Sequence, residues 1–233
     1  TAPCDAFGGP DRAHSSFTPM QKAINYAMTS FFTTGGIRGQ KKGMDKFYPR
    51  SFNMGVRREV YKALGGFSNM RFGEDIDFST RIFKGGYRCR LFPEAWVYHK
   101  RRTDLRKFFK QVHNSGIARI HLSRRHPGTH KLVHLLPAVF TLGVVFLLLS
   151  AVLLALFGHG CLSLTALSPL FLFSLLIGLD ATRSEHSLGV GCRAIAAAFV
   201  QLLGYGSGYL RAWWQCRVLH SGEFEAFSDS FYQ

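Results

Sequence analysis

Between Leu135 and Phe157 the chain runs for 23 residues without a charged side chain. A helix of that length rises about 34 Å, more than the roughly 30 Å of a bilayer's hydrocarbon core. The alternative, a buried core helix, is disfavoured because so long an uncharged stretch is rare inside a domain this small. Leu162–Leu179 is a second apolar run, of 18 residues, joined to the first by the short Gly158-His159-Gly160 turn. Together they predict a transmembrane hairpin. Val190–Leu210 is apolar as well but holds Arg193, Gln201 and several glycines. A third span with Arg193 snorkelling to the interface and a helix lying in the membrane plane both fit this segment. Gly204, Gly206 and Gly208 would let it pack closely against a neighbour.

The charge is divided at the same place. Residues 1–134 carry 25 Lys and Arg against 9 Asp and Glu, a balance of +16, whereas residues 135–233 carry 4 against 5. The expected domains are therefore a basic, soluble half at 1–134 and a membrane region at 135–233. Nucleic acid, anionic lipid and phosphorylated substrates all suit a basic half. The adjoining apolar half favours lipid, and no nucleic-acid motif is present, so nucleic acid is not an expected partner. Lys100, Arg101, Arg102, Arg106, Lys107 and Lys110 surround Phe108 and Phe109. This basic, aromatic segment is expected either to meet anionic membrane lipids or to be a solvated helix face. Basic residues crowd the chain before the first span while the 158–160 turn has none. The soluble half is accordingly placed in the cytoplasm, on the inner membrane. Five scattered cysteines without a CxxC pair indicate neither a disulfide framework nor a zinc site, which fits a reducing compartment.

Within the basic half, Thr1–Ser16 reads as loop because Pro3, Gly8, Gly9 and Pro10 break any period. Thr18-Pro19-Met20-Gln21 reads as a capped helix start, and the helix is expected to continue through Phe31 to Gly35-Gly36. A flexible basic loop with Arg38, Lys41, Lys42 and Lys46 follows. Phe47–Val56 is expected to be extended. Helices are expected over Arg57–Leu64 and from Glu74 to Gly85-Gly86, then strands at Tyr87–Phe92 and Ala95–Tyr98, then a long helix capped by Thr103. Strands alternating with helices predict an α/β fold.

Glu74, Asp75 and Asp77 fall within four residues in a half that has only nine acids. Carboxylates in a helix's first turn are stabilised by its dipole, so simple capping explains them as well as chemistry does. Their surroundings discriminate. Gly65-Gly66-Phe67 precedes the acids, Arg81-Ile82-Phe83-Lys84-Gly85-Gly86-Tyr87 follows them, and a strand then leads to His99. Asn53–Arg102 thereby resembles the C-terminal half of the catalytic domain of family 2 glycosyltransferases. The following hairpin is also common in that family.

The resemblance implies the C-terminal part of a GT-A (Rossmann-like) domain followed by a helical transmembrane region. It implies inverting transfer from a nucleotide-sugar donor to a lipid-linked or membrane-proximal glycan acceptor. Asp75 would be the base and Glu74 its support or the acceptor's orienter, because a sugar hydroxyl attacks well only when a carboxylate accepts its proton. Asp77 is expected to be a cap or salt-bridge partner. His99 would approach the metal or the donor diphosphate, or be a structural strand-end histidine. Arg38, Lys41 and Lys42 would close over donor phosphates, or form a solvated loop. Asn53 and Gln111 are further candidate substrate contacts. A divalent metal, Mg²⁺ or Mn²⁺, is implied through a D-x-D motif expected before Thr1, so this stretch alone is expected to be inactive. The Q-x-x-R-W of processive members is missing its Arg and Trp after Gln111, which argues for adding a single sugar. A non-enzymatic membrane scaffold or transporter subunit is the alternative, and it leaves the acid cluster unexplained.

Overall fold

Residues 3–34 and 47–220 are described by the computed structural model. Arg38, Lys41, Lys42 and the expected Gly35-Gly36 helix end lie outside the described residues. The capping box at Thr18 forms as its sequence predicts. The Thr18 hydroxyl accepts the Gln21 N–H at 3.3 Å, and Gln21 Oε1 accepts the Thr18 N–H at 3.1 Å. The resulting helix, α1 (Pro19–Thr29), stops short of Phe31. Ser30 is extended there, and a short helix, α2 (Phe31–Thr34), starts afresh. Hydroxyl side chains explain the break: Ser30 Oγ accepts the Phe32 N–H and the Thr33 hydroxyl donates to the Ala27 carbonyl, competing with the regular ladder.

The stretch expected as loop contains two strands, β1 (Ala6–Gly8) and β2 (Asp11–Arg12). β1 is the centre of a three-stranded sheet, antiparallel to β3 (Met54–Val56) and, on its other edge, parallel to β4 (Cys89–Leu91). β2 pairs in parallel with β5 (Val97–Tyr98). Proline and glycine erase the local period of this stretch, but its hydrogen bonds come from partners remote in sequence. The segment expected to be extended before β3 instead turns, as a 3₁₀ turn over Ser51–Asn53. Beyond β3, α3 (Arg58–Ala63) ends before Gly65-Gly66, and α4 (Glu74–Lys84) follows. Ala6, Val60, Phe78 and Ile82 form the small core between this sheet and these helices.

A long helix, α5 (Leu105–Arg125), is capped by Asp104 rather than Thr103. The Asp104 carboxylate accepts the Lys107 N–H at 2.8 Å, while Thr103 only donates its hydroxyl to Asp104. Three apolar helices complete the chain: α6 (Leu136–Leu156), α7 (Gly160–Glu185) and α8 (Leu188–Arg217). Each is long and apolar enough to cross a membrane. Leu142, Phe146, Leu149 and Leu153 on α6, and Phe171, Leu172 and Leu175 on α7, face outward, as a lipid-facing surface requires.

The largest core joins the two halves. Ala23, Ile24, Ala27 and Met28 of α1 and Phe108 and Val112 of α5 are buried against Ile177 and Ala181 of α7 and Val190, Ala194, Ala197 and Ala198 of α8. Phe108 is therefore core and not an interfacial side chain, while its neighbour Phe109 stays 41% exposed. The basic run is corrected in the same way: Arg101 is only 7% exposed and is spent on an internal ion pair, described below.

The α5–α8 crossing depends on missing Cβ atoms. A Cβ on Gly116 would strike the Tyr205 carbonyl, and one on Gly208 would strike the His113 carbonyl. The close packing expected of the α8 glycines is thus realised, with Gly204 facing Val112 and Gly206 facing Pro137 and Thr141. Gly116→Val should cost at least about 1–3 kcal/mol, because backbone rather than a movable side chain blocks the methyls. Thermal unfolding in detergent measures this, with Gly143→Ala as the silent control, since Gly143 has open space around it.

Candidate active site

The carboxylates are positioned by the start of α4. Gly73 has a φ of +84°, and a Cβ there would lie 3.1 Å from Leu122 on α5. Glycine thus lets the chain turn sharply into α4 while α4 abuts α5. Glu74, Asp75 and Asp77 occupy the first turn of the helix.

Their surroundings separate them. Asp75 is 9% exposed. Its Oδ2 meets Arg50 Nη1 at 3.4 Å, and its Oδ1 accepts the Ile76 N–H at 2.8 Å. Glu74 is half-buried. Burial, and then the charge of Asp75 beside it, push its carboxyl above the ordinary range against the opposing pull of Ser51 and Arg50. Asp77 is almost wholly buried and points into a basic cage. Its Oδ2 receives Arg81 Nε at 2.9 Å and Arg81 Nη2 at 2.8 Å, and its Oδ1 meets His126 Nε2 at 2.8 Å and Arg125 at 3.9 Å. Burial raises its carboxyl, but the His126 and Arg81 contacts outweigh burial and hold it below the usual range. Asp77 is thus the salt-bridge partner expected from its position on the helix. Lys84 Nζ lies 3.3 Å from His126 Nδ1. An ammonium can only donate, so the imidazole proton sits on Nε2, facing Asp77.

One short turn gathers most of the described residues selected from sequence. In the segment Arg50–Asn53, Arg50 pairs with Asp75, and Ser51 lies close enough to Glu74 to pull its carboxyl down. Phe52 stacks on His99 with ring centroids 4.0 Å apart and planes 8° apart. Asn53 Nδ2 donates to the Ala95 carbonyl at 2.8 Å. Glu74, Asp75, Asn53 and His99 are therefore neighbours of a single turn. Gln111, on α5, is engaged instead by Arg102, whose Nε donates to it at 2.9 Å. Sequence reasoning missed Arg50, Ser51 and Phe52. The only available sign was their adjacency to the Asn53 segment. Ser51 also lines a cavity of about 370 Å³ walled by Met54, Val56, Arg58, Tyr61, Phe67 and Phe78.

His99 is held from the other side by Arg101, whose Nη1 lies 3.3 Å from His99 Nδ1. Arg101 Nη2 in turn pairs with Asp11 at 2.6 Å, and its Nε donates to Asn25. Burial first, and then the Arg101 charge, hold the imidazole below its ordinary pKa. With Nδ1 facing a guanidinium, His99 could offer a metal only Nε2. Among the described residues no three His, Cys, Asp or Glu are grouped to hold a metal ion. These residues do not form a metal site by themselves.

A carboxylate pair at a helix start beside a cavity, in an α/β half backed by apolar helices, is an arrangement suited to group transfer onto a hydroxyl. The family model described as glycosyl transferase family group 2 matches residues 41–179, and the chain belongs to this family. Its α/β half is accordingly of the GT-A class, followed by three long apolar helices. Two curated relatives are the pre-mycofactocin glycosyltransferases of Mycobacterium tuberculosis strains CDC 1551 / Oshkosh and ATCC 25618 / H37Rv. Each is 36% identical over 72 residues, covering 30% of this chain and 15% of the relative's length. The chain thus aligns with only a small part of those relatives. No solved structure matches.

Proposed function

We propose that the chain forms the acceptor side of an inverting glycosyltransferase that moves one sugar from a nucleotide-sugar donor to a lipid-linked or membrane-proximal hydroxyl at the inner membrane's cytoplasmic face, in cell-surface glycan synthesis. The observation that carries the reading is the Glu74–Asp75 pair at the start of α4, with Arg50 on Asp75 and the adjoining Ser51 lining a cavity. The acceptor O–H gives its proton to Asp75 while its oxygen attacks the anomeric carbon. The bond from that carbon to the nucleotide diphosphate breaks, and the diphosphate leaves with the electron pair. Attack opposite the leaving group inverts the centre. Tyr61 and Phe67 offer apolar ring surface on which an acceptor can rest. A divalent ion, Mg²⁺ or Mn²⁺, would neutralise the diphosphate, held by the D-x-D segment that the family resemblance implies. Arg106, Lys107 and Lys110 beside the exposed Phe109 suit anionic lipid headgroups. Gln111 paired with Arg102, with no Arg-Trp following it, supports single addition.

A second reading exchanges the carboxylates. Glu74 is more exposed than Asp75, and burial raises its carboxyl above the ordinary glutamate range, which strengthens it as a base. The test of the overall reading uses the full-length protein in membranes, supplied with labelled nucleotide sugars. Label passing into the lipid or glycan fraction supports it. Absence of transfer from every nucleotide sugar tried, by protein shown to be folded and inserted, would count against it.

A further inference from the structure

α8 has the length of a membrane span, 30 residues, but its neighbours follow one another across a single end of the hairpin. α6 and α7 are antiparallel. Ser163 bonds the Ala151 carbonyl near their shared turn, and Phe140 meets Phe173 with ring centroids 5.2 Å apart toward the other end. α8 begins beside the last turns of α7, where Gly191 faces Thr182 and the Gly178 carbonyl. Phe199 then meets both Phe173 and Phe140, at 5.5 and 5.9 Å. A helix descending beside α7 would next reach the residues near 160. α8 turns to the start of α6 instead: Thr141 lies 3.5 Å from the Leu202 carbonyl, and Gly206 faces Pro137.

From there its partners all precede or open the first span. Ser207 bonds His113 at 3.1 Å, Tyr209 Oη bonds His130 at 3.0 Å, and Ala212 and Cys216 pack on Ile117, Ile120 and Ala138. We propose that α8 lies in the plane of the membrane, at headgroup depth, so that the described chain crosses the bilayer twice. Its upper side is covered by α1 and α5. The side left open toward its end carries Trp213 and Trp214, 44% and 53% exposed, with Arg211 and Arg217 beside them. Tryptophan favours the membrane–water interface, and arginine there pairs with anionic headgroups. The partner of this face is the phospholipid headgroup layer on the side of the catalytic half. The inference goes beyond the reaction proposed above and does not depend on which carboxylate is the base.

The experiment is side-specific labelling of single cysteines in sealed vesicles with a membrane-impermeant maleimide. The five native cysteines are first replaced. Arg217→Cys should label from the same side as Arg106→Cys, at least tenfold faster than from the opposite side, and His159→Cys should label only from the opposite side. Labelling of Arg217→Cys from the His159 side would overturn the proposal by restoring a third span, and labelling from neither side would overturn it by placing the end of α8 away from the headgroup layer. If the cysteine-free protein fails to insert, an epitope placed after Leu219 in the native chain and probed with antibody in the two vesicle orientations gives the same decision.

Discussion

Asp75→Asn should reduce sugar transfer by at least about 10²-fold, the scale of losing a positioned general base. The change is nearly isosteric. The Ile76 N–H keeps an oxygen to donate to, and the Arg50 pair that is lost is long, at 3.4 Å, and partly exposed. Stability should therefore change by less than about 1 kcal/mol, so a fall in rate would not reflect unfolding. Glu74→Gln separates the two readings. If Asp75 is the base, the glutamine variant should lose less activity than the asparagine variant; the reverse order moves the role to Glu74. Wild-type rates in both would remove this pair from the chemistry. The pH profile adds a second readout. Glu74 titrates above the ordinary carboxylate range partly because Asp75 is charged beside it. If its ionised form is required, activity falls as pH drops through that raised value. Removing the Asp75 charge should then move this acid limb to lower pH.

Asp77→Ala should destabilise the protein by about 3–5 kcal/mol, as expected when one partner of a buried ion pair is removed. Arg81 would be left beside an emptied site, still bonded to the Leu64 and Gly66 carbonyls, and His126 would lose its tie to α4. Because this tie joins α4, which carries the proposed base, to α5, activity should fall with stability. The pH dependence follows from the lowered carboxyl. Stability from this ion pair is fully present above the unfolded carboxylate's pKa of about 3.9. It is lost as pH falls through the lower native value. Wild-type unfolding temperature in detergent should therefore decline below about pH 4 more steeply than that of Asp77→Ala. Equal slopes would show that the cage does not hold Asp77 ionised.

Local chemistry made much of this legible in sequence. Thr18, Pro19 and Gln21 lie within four residues, so their capping box could be read directly, as could α4, framed by Gly73 and Gly85. The hairpin followed from length and the absence of charge. The parts that were not legible depend on residues far apart in the chain. β1 is a strand only because Val56 and Cys89 flank Ala6. Phe108 and Phe109 are adjacent and alike, yet only the fold decides that one enters the core shared with α1, α7 and α8 and the other stays exposed. At the site, the acids and His99 stood out by type and order. Arg50, Ser51 and Phe52 were hidden because nothing in their spacing announces a turn that reaches Asp75, Glu74 and His99 at once.

The core that unites α1 and α5 with α7 and α8 bears on how such a protein can be prepared. Cutting the gene after His134 would leave Ile24, Ala27 and Met28 of α1 and Phe108 and Val112 of α5 without the α7 and α8 residues that bury them. Such a truncation should precipitate or bind detergent on its own. Biochemistry on the α/β half therefore has to begin with the apolar helices still attached.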